Sequence, residues 1–125
     1  SEIFTHPVQV YYEDTDAGGI VYHAQYLSFM SRARCEWCKA QGLSLKALQE
    51  AGTLIPVRSV NIRYLSPAFL EDALVVTVEV KSQRKVGMVF HQRVYRKNQP
   101  ETILCEADVE VVAVNEKLKP VKLPL

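Results

Sequence analysis

Between Tyr11 and Tyr26 the chain reads YYEDTDAGGIVYHAQY, with three acids, two adjacent glycines and a histidine just before an apparent helix. Carboxylates in a tight turn ahead of a helix suit chemistry at a carbonyl. A carboxylate can attack or activate water, and the unpaired N–H groups of a helix start can receive the developing oxyanion, aided by the helix dipole. Asp16 is the residue expected to do this chemistry. Gly18 and Gly19 give the backbone freedom to turn that carboxylate toward the helix. Asp14 is expected to brace the turn by accepting loop N–H groups, and Glu13 to be solvated or paired. The His23 imidazole is a candidate to orient Asp16 or water. Asp14, Asp16 and His23 are also hard-oxygen and imidazole donors. No second cluster completes a coordination sphere for them, and no metal is expected.

The elements that position this loop follow in order. Val8–Tyr12 predicts a short strand and Tyr22–Gln41 a helix, with Tyr26, Met30, Ala33, Trp37 and Ala40 on one face, widened by Leu27 and Phe29. Ser44 predicts the N-cap of a shorter helix ending at Glu50. The period then becomes two. Val60, Ile62 and Tyr64 mark one strand and Leu74–Lys81 a second. Val86–Tyr95 mark a third, and Ile103–Val114 a fourth, with hairpin tips at Arg84-Lys85 and Asn98-Gln99-Pro100. The tail EKLKPVKLPL reads as an extended surface arm. The expected architecture is α+β: one antiparallel sheet of about five strands with one main helix on a single face, in one domain over residues 1–125. One sheet and one helix leave long strand edges free, which predicts a homo-oligomer paired edge to edge.

A net charge of +1 argues against a nucleic-acid surface. No apolar run is long enough to span a membrane, and SEIFTHPVQV lacks the pattern of a signal peptide. Three cysteines make no disulfide framework, so the expected compartment is the cytoplasm. Cys35 and Cys38 form C-x-x-C, but in mid-helix rather than at a helix start, and Cys105 stands alone on a strand. They read as free thiols rather than a redox or zinc motif.

The stretch YYEDTDAGGIVYHAQYLSFMSRAR resembles the signature of the 4-hydroxybenzoyl-CoA thioesterase family, the hot-dog fold thioesterases. Within it, the likeness is to acyl-CoA thioesterases of bacterial Tol-Pal gene clusters. VNIRYLSPAFLEDALVV is similar to that branch's second strand, Y-x-x-P turn and third strand, and EADVEVVAVN to its last strand. The resemblance implies a long central helix wrapped by a curved sheet, dimers or tetramers (dimers of dimers), and active sites at the dimer interface. It assigns catalysis to the second acid of the D-x-D pair, Asp16, and the oxyanion donor to the backbone N–H of His23. It points to Arg84 and Lys85, at a basic turn, for the phosphates of CoA. Tyr22, Tyr26 and Ser59 are further substrate-binding candidates; the two tyrosines also suit core and rim. The implied activity is hydrolysis of an acyl-CoA thioester to free acid and CoA. CoA is then part of the substrate, and no separate cofactor is required. Acyl-carrier-protein thioesters share the pantetheine arm and are an alternative substrate. The rival readings are a non-catalytic dimer that binds acyl chains or proteins and, less favoured, a His-centred hot-dog dehydratase.

Overall fold

A computed structural model describes residues 2–125. The elements are β1 (Phe4–Gln9), α1 (Gln25–Ala40), α2 (Leu45–Glu50), β2 (Val57–Tyr64), β3 (Ala73–Gln83), β4 (Gly87–Arg96) and β5 (Gln99–Val112). The five strands form one antiparallel sheet in the order β1-β3-β4-β5-β2. α1 lies over β3 and β1. This is the expected α+β arrangement.

Alternation along the strands explains which face is covered. Leu74, Val76 and Val78 of β3, Met88, Phe90 and Val94 of β4, and Cys105, Ala107, Val109 and Val111 of β5 are buried toward the helix. α1 answers with Tyr26, Phe29, Met30, Ala33 and Cys38, while Trp37 packs edge-on against Phe90 with ring centroids 5.2 Å apart. Fully buried Phe29 and Met30 each contribute about 1.5–3 kcal/mol by leaving water. Leu27 and Ala40, predicted on the same face, are exposed because the sheet covers one side of the helix. One polar side chain sits in this core. Gln92 donates to the carbonyls of Met30 (3.1 Å) and Thr77 (3.3 Å) and accepts from Arg34 at 2.9 Å, so its amide is satisfied without water.

Several features differ from the sequence reading. β1 begins at Phe4 and ends at Gln9, because residues 4–9 pair with Val78–Ala73. Pro7 is tolerated there on an edge strand. α1 has 16 residues rather than about twenty. Its expected start, Tyr22–Ala24, is instead a separate turn closed by the Gln25 N–H on the Tyr22 carbonyl at 2.8 Å, just after residues 20–21 are held extended by the pairs Thr15–Val21 and Ile20–Phe69. The second hairpin turns at Lys97-Asn98, since Gln99 already pairs with Arg96. The tail is extended but not a loose arm. Val121 and Leu123 donate to the carbonyls of Ala113 (2.9 Å) and Lys85 (2.8 Å), and Leu123 is buried. α2 starts as predicted, with Ser44 Oγ accepting from the Ala47 N–H at 3.1 Å.

β1 and β2 are the sheet edges. β2 is the longer, and its Val57, Val60 and Tyr64 are exposed.

Candidate active site

The loop after β1 is set by its first acid. Asp14 is 4% exposed, and its Oδ2 accepts from the Tyr11 N–H at 2.9 Å, closing a single 3-10 turn over Tyr12–Asp14. Its carbonyl also accepts from the Tyr22 N–H at 2.9 Å, which draws the strand end and the helix approach together. Asp14 is thus a bracing residue, as its position ahead of the glycines suggests.

Asp16 is exposed. Its Oδ1 accepts from the Gly18 N–H at 2.8 Å, and its carbonyl accepts from the Gly19 N–H at 3.0 Å. A β-carbon at Gly18 would stand 3.1 Å from that same carboxylate oxygen, while Gly19 has φ +79°. The two glycines therefore do different work: one makes room for the carboxylate and the other supplies the left-handed turn.

Nine residues on from Asp16, α1 begins. Before it comes a turn in which the Gln25 N–H donates to the Tyr22 carbonyl at 2.8 Å. Among the described residues, the N–H groups of His23 and Ala24 have no protein acceptor. They are the free donors that a helix start exposes.

Asp16, His23 and Tyr26 line one cavity of about 370 Å³, closed by Ile20, Val21 and the segment Tyr64-Leu65-Ser66-Pro67. Tyr26 is buried, and its hydroxyl accepts from the Ala68 N–H at 3.2 Å; burial raises its pKa and keeps it neutral. Tyr22 is exposed and packs at a tilt against His23, with ring centroids 4.7 Å apart and planes 58° apart, outside the cavity wall. Behind the wall, burial pushes the Cys105 thiol up to about 12, so it carries no nucleophile. Burial also raises the pKa of Cys38, and all three cysteines are free.

Ser59, Arg84 and Lys85 are not brought to this cavity within one chain. Ser59 Oγ and Arg84 Nη2 both reach Glu110, at 3.0 and 2.9 Å, on the outer face of the sheet. Lys85 is exposed at the β3–β4 tip. Strand pairing explains the meeting on Glu110: Ser59 stands opposite Glu110 across β2 and β5.

Sequence reasoning assigned no role to Tyr64. Its hydroxyl donates to the His23 carbonyl at 2.9 Å, and its ring stands edge-on to those of His23 (6.1 Å) and Tyr26 (5.7 Å). The available signal was its place at the head of the Y-x-x-P turn, but nothing local says that this turn closes over the start of α1.

An acid and a histidine whose amide is unpaired among the described residues share one cavity ahead of α1, on a helix-backed antiparallel sheet, and this combination defines a class. A family model described as the thioesterase-like superfamily matches residues 10–124. The chain belongs to that family and is a thioester hydrolase. It is 45% identical over 123 residues to the acyl-CoA thioester hydrolase YbgC of Escherichia coli O6:H1, covering 98% of this chain and 90% of that protein. It is 42% identical to the acyl-CoA thioesterase YbgC of Haemophilus influenzae, covering 97% and 88%. Among solved structures, a probable thioesterase from Bartonella henselae superposes with a TM-score of 0.92 at 29% identity, covering 98% of this chain and all of that one. The hot-dog fold expected from the sequence is the fold found.

Proposed function

We propose that the protein hydrolyses acyl-CoA thioesters to free acid and CoA, with Asp16 as the reacting carboxylate and the His23 N–H as oxyanion donor. The observation that carries this reading is the shared cavity of Asp16 and His23, with N–H groups at His23 and Ala24 that have no acceptor among the described residues. A thioester carbonyl bound there meets a carboxylate on one side and donors on the other. Asp16 either adds to the carbonyl carbon itself or takes a proton from a water that adds. On both routes negative charge builds on the carbonyl oxygen. The C–S bond then breaks and the thiolate leaves and gains a proton as free CoA; on the first route water next splits the acyl–Asp16 anhydride and restores the carboxylate, and on the second the added water is already the new oxygen of the acid. The likeness to two acyl-CoA thioesterases over nearly the whole chain supports CoA as the thiol. CoA serves as substrate, with no other cofactor. An acyl carrier protein would present the same arm.

The working unit in this reading is a homo-oligomer, a dimer or a pair of dimers, joined through the free edge of β2. Ser59 and Tyr64 are five residues apart, about 17 Å along a strand. Antiparallel pairing of two β2 edges would carry the partner's Ser59 toward the Tyr64 end, where the cavity opens. The half-exposed Arg84, with Lys85 beside it, would approach from the same side and meet the CoA phosphates, Arg84 exchanging its contact with Glu110 for them. No helix among the described residues is long and apolar enough to cross a membrane. The cytoplasm, where acyl-CoA is made and used, is the compartment proposed.

The test is a panel of acyl-CoAs of graded chain length and an aromatic member, with thiol release and carboxylic acid measured together. The reading expects equimolar thiol and acid from at least one member. No release above the uncatalysed rate across the panel contradicts it.

A further inference from the structure

We infer that Tyr64 is a positioning residue for the oxyanion donor, an inference that rests on the role proposed above for the His23 N–H. That N–H lies in the Tyr22–His23 peptide plane, which is coupled through the His23 backbone angles to the plane that follows. The Tyr22–His23 peptide is held by one bond, the Tyr22 carbonyl accepting from the Gln25 N–H at 2.8 Å; the Tyr22 N–H, on the peptide before it, donates to the Asp14 carbonyl at 2.9 Å. The plane after His23 lies outside the ladder of α1, and its N–H, that of Ala24, is unpaired among the described residues. What holds this second plane is the Tyr64 hydroxyl, 2.9 Å from the His23 carbonyl oxygen. A carbonyl only accepts, so the hydroxyl proton is committed to it. Such a bond also polarises the His23–Ala24 peptide and strengthens the Ala24 N–H as a donor.

The bond crosses between elements. Tyr64 ends β2, which reaches it on the sheet opposite Cys105, while His23 opens the helix approach. Tyr64 also lines the cavity that holds Asp16 and His23. Its ring contacts with His23 and Tyr26 are edge contacts that phenylalanine would keep. Tyr64→Phe therefore removes the hydroxyl and leaves the wall.

The experiment uses the full chain and two non-hydrolysable analogues of whichever acyl-CoA the panel shows to be turned over best. In the ketone, CH2 replaces sulfur and the carbonyl oxygen remains to test the donor. In the thioether, CH2 replaces the carbonyl and no oxygen reaches it. Losing a whole oxyanion donor costs roughly 10²- to 10³-fold, so a misaimed donor should cost about tenfold. Tyr64→Phe is expected to lower kcat about tenfold with KM within about twofold, and to weaken the ketone about tenfold while leaving the thioether unchanged. A merely structural role would move both analogues together. The inference is overturned if wild type and Tyr64→Phe discriminate the two analogues equally. Asp16→Asn is measured alongside. If it kept full thiol release while Tyr64→Phe still weakened the ketone alone, the role of Asp16 would fall and that of Tyr64 would stand.

Discussion

Gly18→Ala is a probe of catalysis that should leave the fold intact. The added β-carbon would stand 3.1 Å from Asp16 Oδ1, the oxygen that the Gly18 N–H now holds at 2.8 Å. That separation is tighter than ordinary carbon–oxygen contact, so the carboxylate must retreat by a few tenths of an ångström. A misplacement of about 1 Å can cost 10²-fold in rate, so a shift of about a third of that predicts a loss of roughly five-fold, or about 1 kcal/mol. Gly18 does not lie in the left-handed region, so no backbone strain is added. Replacing glycine there should instead stabilise the fold by about 0.4–1 kcal/mol through the unfolded chain. Gly19→Ala is the contrast. Its φ of +79° strains any side chain, yet nothing lies within 4 Å of the new carbon. It should cost about 1–2 kcal/mol of stability. Thiol-release kinetics and thermal melts on the two variants separate the effects. Gly18→Ala with wild-type kcat would refute the claim that this turn aims the carboxylate.

Two further outcomes concern the scaffold. Ser44→Ala removes the cap of α2 and should cost about 1 kcal/mol in a denaturant melt with kcat unchanged. Asp108 is held below the usual carboxylate range, first by the hydrogen bond from Lys81 at 2.6 Å and then by His91 at 2.7 Å, against partial burial. Its folded pKa is depressed, so its stabilisation is fully present above the unfolded value near 3.9 and is lost as pH falls through the lower folded value. Asp108→Asn should accordingly lower the melting temperature at pH 7, and the gap should close in melts taken as pH falls below about 4.

What could be read from the sequence was what local spacing determines. Alternation along Leu74–Lys81 or Ile103–Val114 reports a half-covered strand directly, and Ser44 caps a helix that begins one residue later. The acid loop was legible because its turn is built from its own residues: Asp14 with Tyr11, Asp16 with Gly18. Long-range pairing was not. Tyr22–Ala24 read as the start of the helix, yet they follow Ile20 and Val21, which partners at Phe69 and Ala68, some fifty residues on, hold extended, and α1 starts only at Gln25. Pro7 looks like a strand boundary unless its strand is known to lie at an edge. Leu123 is buried only because the chain returns to Lys85. The contact of Tyr64 with His23 depends on sheet order, which brings the end of β2 to the start of α1. Sheet order likewise sends Ser59 and Arg84 to Glu110 rather than to the cavity of their own chain.

The central claim is that one exposed carboxylate, beside the free amides ahead of α1, does the chemistry. Asp16→Asn keeps the side chain's shape and an oxygen for the Gly18 N–H, so the melt should match wild type. Thiol release from the best acyl-CoA should fall roughly 10²- to 10⁴-fold, the usual contribution of an acid–base group. A folded Asp16→Asn protein that releases thiol at the wild-type rate would contradict the account.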